Sequence, residues 1–323
     1  MEELSPIHQP GEEERLRLVS PQWLRYVKST ICWVSSLEIT SRTRLCALIG
    51  DPVEHSLSPA MQNAAFREMG VDAVYLAMHV KSEMLAQAVR GFKALNILGF
   101  NVTIPHKTKV MKYLDGLDRT ATTIGAVNTV VNRDGKLIGY NTDGIGALEA
   151  LRESGVNPKG RRIILVGAGG AARAIAFTLA EIAQRMVIVN RTVSKARMLA
   201  RDVQKTTQAQ VTYKSLNSAI LKNELLSSDL LVNATSIGMN PRASEAPIDL
   251  SLLRTDLDVF DIVYDPVETS LLKGAKEVGA KSVNGLTMLV NQGAQAFELW
   301  TGLKGPIPIM TEALNNALKV SPR

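Results

Sequence analysis

The chain has 323 residues, of which 46% are hydrophobic, and carries a formal net charge of +6, so we expect an α/β globular protein with room for two domains. The positive charge forms no Lys/Arg-rich block or aromatic-plus-basic repeat, which argues against nucleic-acid binding, and no apolar run reaches the ~18 residues of a membrane span. The two cysteines, Cys32 and Cys46, form no C-x-x-C motif or cluster with histidines, so we expect no metal site, no disulfide framework and a cytoplasmic protein.

Residues 1–38 differ in character from the rest of the chain. The polar opening predicts partial disorder. Ser20 and Pro21 favour the start of a helix whose apolar side chains recur at helical spacing from Trp23 to Val34. Such a helix would dock on the body of the protein or on a partner. We favour the alternative, in which this extension is dispensable or reflects a translation start assigned too far upstream.

The first predicted strand, Arg44 to Ile49, leads to the segment HSLSP. Ser58 is predicted as the N-cap of a helix and Pro59 as its first residue, with the helix running to about Met69. Ser56 and Ser58 would place two hydroxyls beside a helix N-terminus, where an anion such as a carboxylate is favoured. On local evidence alone, simple helix capping is the better explanation.

A second strand over 74–80 and a helix over 82–95 precede the segment GFNVTIPHK. Asn101 and Thr103 alternate with apolar residues, so both project from one face of a strand. Lys107 is predicted at a helix entrance, where the helix dipole repels a cation and lowers the lysine pKa toward the range useful for acid–base catalysis. The alternative is a solvent-facing lysine.

A hairpin follows, and it ends near an acidic residue. Asn128 precedes the first strand of the hairpin, and 132–135, with the sequence Asn-Arg-Asp-Gly, predicts its turn. Asp143 opens the next helix. It either caps that helix or pairs with Lys107 across a cleft.

The most informative stretch begins with a buried strand, Ile163 to Val166. Gly167, Gly169 and Ala172 then occupy the G-x-G-x-x-G/A positions of a dinucleotide-binding turn, ahead of a predicted helix from Ala171 to Gln184. The glycines allow a tight turn and a close approach of a pyrophosphate to the backbone, and the helix N-terminus favours the phosphates. We therefore predict a dinucleotide site.

The residues after the next strand, Met186 to Val189, indicate which dinucleotide binds. NAD-binding folds carry an acidic residue here for the ribose 2′-hydroxyl. This chain has Asn190, Arg191 and Thr192 instead, with Lys195 close by. A guanidinium at this position predicts a 2′-phosphate and hence NADP, although an ordinary solvated helix entrance is the alternative.

Three further predicted strands, over 230–232, 259–263 and 281–285, end in polar turns. Polar residues at the carboxyl ends of parallel strands are where a doubly wound sheet binds its ligand. Tyr264 follows the second of these strands. Gln292 lies in the helix predicted from about residue 287.

The set of turns, in this order, resembles the shikimate dehydrogenase family. The matching segments are HSLSP, GFNVTIPHK, GAVNT, YNTDG, VGAGGAARA, VNRT, NATSIGM, DIVYDP and NGLTMLVNQGA. The resemblance covers about residues 39–320. It implies two α/β domains: a substrate-binding catalytic domain over 39–143 and 286–323, and a doubly wound, Rossmann-like NADP domain over 144–285, able to close about residues 143 and 285.

The resemblance also implies roles for individual residues. Lys107 and Asp143 correspond to the catalytic pair of the family. The implied substrate-binding residues are Ser56 and Ser58 for a carboxylate, Asn101, Thr103, Asn128 and Gln292 for ring hydroxyls, and Tyr264. The implied cofactor-binding residues are Gly167, Ala168, Gly169, Gly170, Ala171, Asn190, Arg191, Thr192, Lys195, Thr235 and Gly285. Lys195 stands where some members carry a second arginine.

The activity implied is the NADPH-dependent reduction of 3-dehydroshikimate in aromatic amino acid biosynthesis, with no metal. A quinate/shikimate dehydrogenase that uses NAD or both cofactors is the nearest alternative. A non-catalytic, ligand-sensing member of the fold is a second. A homodimer is common in the family.

Overall fold

The structure is a computed structural model, and it describes residues 39–320. The helix that the sequence predicts between Ser20 and Val34 therefore lies outside the described residues. Two six-stranded sheets organise the described part of the chain, one formed before residue 141 and the other after residue 161. The two-domain α/β fold class expected from the sequence is confirmed.

The first sheet is mixed, with the order β2-β1-β3-β5-β6-β4. Its strands are β1 (Arg44–Gly50), β2 (Ala73–His79), β3 (Gly99–Val102), β4 (Gly116–Leu117), β5 (Thr129–Arg133) and β6 (Lys136–Tyr140). β1 pairs in parallel with β2 and β3, whereas β5 is antiparallel to β3 and β6. The predicted hairpin turn is confirmed, because Asp134 and Gly135 both have positive φ, as a two-residue turn between β5 and β6 requires.

The second sheet is entirely parallel, with the order β12-β11-β10-β7-β8-β9. Its strands are β7 (Arg162–Val166), β8 (Arg185–Asn190), β9 (Gln210–Ser215), β10 (Leu230–Asn233), β11 (Asp258–Asp261) and β12 (Ser282–Val283). From β7 the chain runs outward through β8 and β9. It then returns to the opposite side of β7 and forms β10, β11 and β12. This reversal creates the crevice at which a doubly wound sheet binds a dinucleotide.

Helices cover both sheets. In chain order they are α1 (Ser58–Glu68), α2 (Leu85–Ala94), α3 (Arg119–Ile124), α4 (Asp143–Glu153), α5 (Gly170–Ala180), α6 (Val193–Thr206), α7 (Ser218–Leu226), α8 (Ser270–Glu277), α9 (Gly285–Thr301) and α10 (Ile307–Val320). Each sheet has a buried apolar cluster on each of its two faces. Burial on both faces explains why the central strands are apolar throughout.

Helices α4 and α9 pack closely where the two sheets meet. A Cβ atom added at Gly146 would lie 2.8 Å from Cβ of Gln292, so the two helices approach each other backbone to side chain at this crossing. A Cβ atom at Gly144 would lie 2.1 Å from the Thr178 hydroxyl oxygen on α5. Glycines on α4 therefore allow both neighbouring helices to approach it closely.

Several predicted boundaries are wrong in detail. Ser58 is the first residue of α1 and Leu57 is its cap, and no side chain accepts a capping hydrogen bond there. The predicted helix over 82–95 begins with a 3₁₀ turn, and the helix predicted to reach Gln184 ends at Ala180. Among residues 39–320, no helix has the length and apolarity needed to cross a bilayer.

The close approach of the paired strands β3 and β5 provides a test of the packing. A Cβ atom at Gly99 would lie 2.4 Å from the Val130 carbonyl oxygen, which already accepts a hydrogen bond of 3.0 Å from the Trp300 indole. We expect Gly99→Ala to lower the free energy of unfolding by about 3 kcal/mol through overpacking. Urea denaturation measures this change.

Gly91 offers a matched control, since it lies inside α2 and a Cβ there would meet nothing within 4 Å. Gly91→Ala should stabilise the protein by about 1 kcal/mol, the difference in helix propensity. Equal effects of the two substitutions would contradict the packing described at Gly99.

Candidate active site

A buried ion pair joins two residues that lie 36 positions apart in the sequence. The Lys107 ammonium nitrogen is 2.5 Å from Oδ2 of Asp143, and the two side chains are only 13% and 5% exposed. Charges so far from water are maintained only when each has a partner and further hydrogen bonds. Of the two readings that the sequence left open for Asp143, the structure shows pairing with Lys107, and the residue also begins α4.

Lys107 lies in a series of turns, and the helix entrance predicted there is wrong. Only a four-residue 3₁₀ segment, Val110–Tyr113, follows these turns, so the helix dipole expected beside Lys107 is missing. The turns are held by the ends of neighbouring strands instead. Buried His106 donates from Nε2 to the Val80 carbonyl at 2.6 Å, and the Val127 N–H donates to the Lys107 carbonyl at 2.8 Å.

Asn128 connects the ion pair to the rest of the site. Its amide nitrogen donates to Oδ1 of Asp143 at 2.9 Å and to Oε1 of Gln292 at 3.2 Å. Its amide oxygen accepts from the Thr142 N–H at 2.8 Å. Asn128 is 2% exposed, so this amide has one orientation and fixes the carboxylate that pairs with Lys107.

Asn101 and Thr103 lie at the carboxyl end of β3, as predicted. The Asn101 amide nitrogen donates to the Asn128 carbonyl at 3.1 Å and to the Thr129 hydroxyl at 3.0 Å. Asn101 is buried, whereas Thr103 is half-buried and its N–H donates to the Ile49 carbonyl at 2.9 Å. Both residues therefore lie on the same strand end, beside the segment that carries Lys107.

Ser56 and Ser58 lie together ahead of α1. The Ser58 N–H donates to the Ser56 hydroxyl oxygen at 3.3 Å, and the Ser58 side chain is buried. Buried Tyr75, which sequence reasoning missed, donates from its phenol to Oδ1 of Asn101 at 2.7 Å.

Gln292 and Tyr264 reach the site from the later part of the chain. Gln292 lies in α9, where its amide nitrogen donates to the Leu289 carbonyl at 2.9 Å and its oxygen faces Asn128. Tyr264 follows β11 and packs against the apolar cluster of the first sheet. Burial raises the Tyr264 pKa, and neighbouring Asp265 adds to the effect, so the phenol stays protonated at neutral pH.

The glycine-rich turn connects β7 to α5 as predicted. Gly167 has a φ of +122°, and a Cβ there would lie 2.6 Å from the Ala234 carbonyl oxygen, so only glycine fits. A Cβ at Gly169 would meet nothing within 4 Å, which leaves the open space that a bound phosphate needs. Ala168 and Ala171 complete the turn, and both are half-buried.

The same turn contacts the Lys107–Asp143 pair directly. A Cβ at Gly170 would lie 2.9 Å from Cβ of Lys107 and 3.0 Å from its Cδ. The aliphatic part of Lys107 therefore lies against the N-terminus of α5. Gly170 thus brings the glycine-rich turn and the ion pair into contact.

Cationic residues follow β8 at the expected place. Arg191, Thr192 and Lys195 are exposed, and neither Arg191 nor Lys195 forms an ion pair within residues 39–320. The Asn190 amide donates to the Thr192 carbonyl at 3.0 Å and shapes the turn. Two cations without an ion-pair partner at a helix start suit a phosphate group. None of Asn190, Arg191, Thr192 and Lys195 is a carboxylate of the kind that binds a ribose 2′-hydroxyl.

A buried carboxylate, Asp261, organises the two strand ends on the other side of the crevice. Its oxygens accept hydrogen bonds from the Asn233 amide at 2.9 Å, the Val263 N–H at 3.1 Å and the Thr269 hydroxyl at 2.7 Å. Asn233 in turn accepts from the Thr235 hydroxyl at 2.7 Å. Burial raises the pKa of Asp261 to about 6, although these hydrogen bonds lower it in part.

This network places Thr235, and sequence reasoning missed Asp261 and Asn233 as its supports. The available signal was a polar residue at the end of each of two adjacent parallel strands. Gly285 begins α9 on the far side, where a Cβ would lie 2.2 Å from the Ile262 carbonyl oxygen. Within residues 39–320, no group of three His, Cys, Asp or Glu residues could hold a metal ion.

A doubly wound parallel sheet with this turn, in contact with a buried lysine–carboxylate pair, defines a two-domain, pyridine-nucleotide-dependent dehydrogenase. Three family models match the chain in succession. They are the shikimate dehydrogenase substrate-binding domain over residues 48–130, shikimate/quinate 5-dehydrogenase over 149–252, and the shikimate 5′-dehydrogenase C-terminal domain over 285–314.

Known proteins agree with these matches. The NADP(+) shikimate dehydrogenase of Methanocaldococcus jannaschii is 49% identical over 281 residues, which cover 85% of this chain and 98% of the relative. A crystal structure of a shikimate dehydrogenase in complex with NADP+ has a TM-score of 0.81 at 47% identity, covering 87% of this chain and 97% of the other. The Thermus thermophilus enzyme, in complex with NADP(H) and shikimate, has a TM-score of 0.77 at 37% identity, with 85% and 100% covered. The chain belongs to the shikimate dehydrogenase family.

The raised pKa of Asp261 predicts an unusual contribution to stability. Between about pH 4 and 6 the folded protein keeps a proton on this carboxyl that the unfolded chain has lost, so its contribution to the free energy of unfolding decreases as pH rises. Asp261→Asn imitates the protonated form. From pH 4 to pH 7, wild type should lose about 2.4 kcal/mol relative to Asp261→Asn in urea denaturation, since a shift of one pKa unit corresponds to about 1.4 kcal/mol and a small part of the effect falls below pH 4.

The control is Asp249→Asn. The Ser251 N–H lowers the pKa of exposed Asp249, so its contribution to stability decreases in the opposite direction, as pH falls below about 4. If wild type and Asp261→Asn show the same pH dependence of stability, the environment described for Asp261 is wrong.

Proposed function

We propose that the protein is an NADP-dependent shikimate dehydrogenase, which catalyses the reversible reduction of 3-dehydroshikimate to shikimate in aromatic amino acid biosynthesis. The observation that carries the proposal is the buried Lys107–Asp143 pair, packed directly against Gly170 of the dinucleotide-binding turn. In the proposed site, this contact supports an acid–base group beside both the cofactor and the substrate. The names of the relatives and the ligands of the solved structures support the same activity.

The substrate is proposed to lie on the carboxyl edge of the first sheet. Its carboxylate would bind the hydroxyls of Ser56 and Ser58. Its ring hydroxyls would contact polar side chains joined in one network, and Tyr264 would close the other side. These side chains are Asn101, Thr103, Asn128 and Gln292. Because most of them already have fixed hydrogen-bond partners, the site is preorganised for a polar ring.

The residues fit NADP. The open space at Gly169 and the free N–H groups at the start of α5 suit a pyrophosphate, and the exposed cations Arg191 and Lys195 suit a 2′-phosphate. Thr235 and Gly285 would line the nicotinamide side. When bound, the reduced cofactor supplies the hydride that the carbonyl carbon of the substrate accepts.

The proposed role of the ion pair is to handle the proton that accompanies the hydride. The Lys107 ammonium donates a hydrogen bond, and then the proton, to the carbonyl oxygen as it becomes an alkoxide. Asp143 holds the Lys107 ammonium in place, and Asn128 holds the other carboxylate oxygen. In the reverse direction Lys107 accepts the proton of the substrate hydroxyl.

Other readings are weaker. A quinate-oxidising enzyme that uses NAD is the nearest alternative, since one matching family model covers both substrates. The cations after β8 favour NADP over NAD, however. A ligand-sensing protein has no need of a lysine–carboxylate pair, and this chain keeps it intact. We also propose a cytoplasmic protein that forms a homodimer, and light scattering tests the dimer.

The experiment that tests the activity measures NADP reduction with shikimate and with quinate. We expect turnover with shikimate, and at least a hundredfold loss of kcat in Lys107→Met, which keeps the side-chain length but removes the acid–base group. Circular dichroism checks that the variant is folded. Lys109→Met is the control, because Lys109 is exposed two residues away.

No reduction of NADP by the wild type with shikimate would refute the proposed activity. A Lys107→Met variant that stays within a few-fold of wild type would refute only the role of the lysine.

Cofactor choice is tested at Arg191. Losing a charge-assisted hydrogen bond to the 2′-phosphate costs about 1.5–3 kcal/mol, so Arg191→Ala should raise the KM for NADP between about 10-fold and 100-fold. The KM for NAD should change less than about twofold, because NAD lacks that phosphate. Arg201→Ala is the control, since Arg201 is exposed and lies within α6, ten residues after Arg191. An equal loss with both cofactors would argue against a phosphate contact at Arg191.

A further inference from the structure

Tyr75 is a fully buried tyrosine that no motif pointed to. It lies on edge strand β2, is 0% exposed, and its ring lies 5.9 Å from the ring of Trp300. Asn63 on α1 fixes its backbone, accepting from the Tyr75 N–H at 2.8 Å and donating to its carbonyl at 2.9 Å. The ring position is therefore set by the strand, a helix and a packed aromatic neighbour.

Small residues allow this ring to reach across the sheet. In the strand register Tyr75 lies beside Cys46 of β1, which lies beside Gly99 of β3. Asn101 is two residues beyond Gly99 and so projects from the same face. Neither Cys46 nor Gly99 carries a bulky side chain, and the Tyr75 hydroxyl meets Asn101 two strands away.

The hydroxyl of Tyr75 supports the proposed substrate site at Asn101. It donates to Oδ1 of Asn101 at 2.7 Å, and Asn101 is one of the residues proposed to bind a ring hydroxyl. Burial raises the Tyr75 pKa well above its usual range, and Cys46 and Tyr264 add to the shift, so the phenol keeps its proton and remains a donor. Since both amide protons of Asn101 are used by Asn128 and Thr129, its orientation is fixed from both ends.

We propose that Tyr75 is a positioning residue that fixes the Asn101 side chain at the carboxyl end of β3, and thereby favours substrates whose ring hydroxyl matches that position. The inference rests on the proposed function, in which Asn101 binds a ring hydroxyl of the substrate. Tyr75 itself is buried, so it acts through Asn101 and not by touching the substrate.

The first test compares Tyr75→Phe with wild type, using the full chain. Removing the hydroxyl leaves the buried Oδ1 acceptor of Asn101 without its donor. The cost of a lost hydrogen bond corresponds to about a tenfold change in substrate affinity. We expect the KM for shikimate to rise about tenfold, while kcat stays within about threefold and the KM for NADP within about twofold. Tyr213→Phe is the matched control, because Tyr213 is exposed on edge strand β9 of the second sheet.

A double-mutant cycle distinguishes positioning from a general structural effect. If Tyr75 acts through Asn101, adding Tyr75→Phe to Asn101→Ala should raise the KM for shikimate by less than about threefold. A full tenfold effect in both backgrounds would overturn the inference. So would an unfolded Tyr75→Phe variant, or one that alters both KM values equally.

The proposed function and this inference fail in different ways. A wild-type protein that does not turn over shikimate defeats both. A wild type that turns over shikimate, together with a Tyr75→Phe variant that has the same KM, defeats only the positioning role of Tyr75.

Discussion

The burial of one ammonium beside one carboxylate is the constraint on which the site depends. Lys107 and Asp143 lose most of their contact with water, and each would be strongly destabilising if the other were absent. The structure therefore surrounds them with fixed hydrogen-bonding groups. Asn128 binds the second carboxylate oxygen, and its own amide is held by Thr142. The same hydrogen bonds that make the charges tolerable also fix their orientation, as the proposed proton transfer requires.

Close backbone approach places this pair beside the dinucleotide-binding turn. Gly170 contacts the aliphatic part of Lys107, and Gly146 allows α4 to approach α9 at Gln292. A side chain at either glycine would separate the elements that carry the site. Shape at these two crossings thus determines where the two sheets meet, and the chemistry of the site follows from that contact.

Predictions from the sequence succeeded where a local pattern had one structural meaning. The strand before Gly167 is one example, because burial on both faces demands apolar residues throughout. The hairpin turn at Asp134 is another, because positive φ values demand residues that tolerate them. The helix entrance predicted at Lys107 failed. This segment instead makes its hydrogen bonds to the ends of neighbouring strands, through His106 and the Lys107 carbonyl. Local residues carry no record of those partners.

By itself the sequence determined the order of the elements, the glycine-rich turn and the polar residues that end the strands. These are sufficient for the fold class and the family, since the carboxyl ends of parallel strands meet at one edge of a sheet. Only the tertiary structure decided which polar groups support the others. Tyr75 reaches Asn101 across an intervening strand, and Asp261 holds Asn233 from 28 positions away in the chain. The reason is physical: a buried hydrogen bond depends on distance and direction between side chains, and these are set by packing between segments remote in sequence.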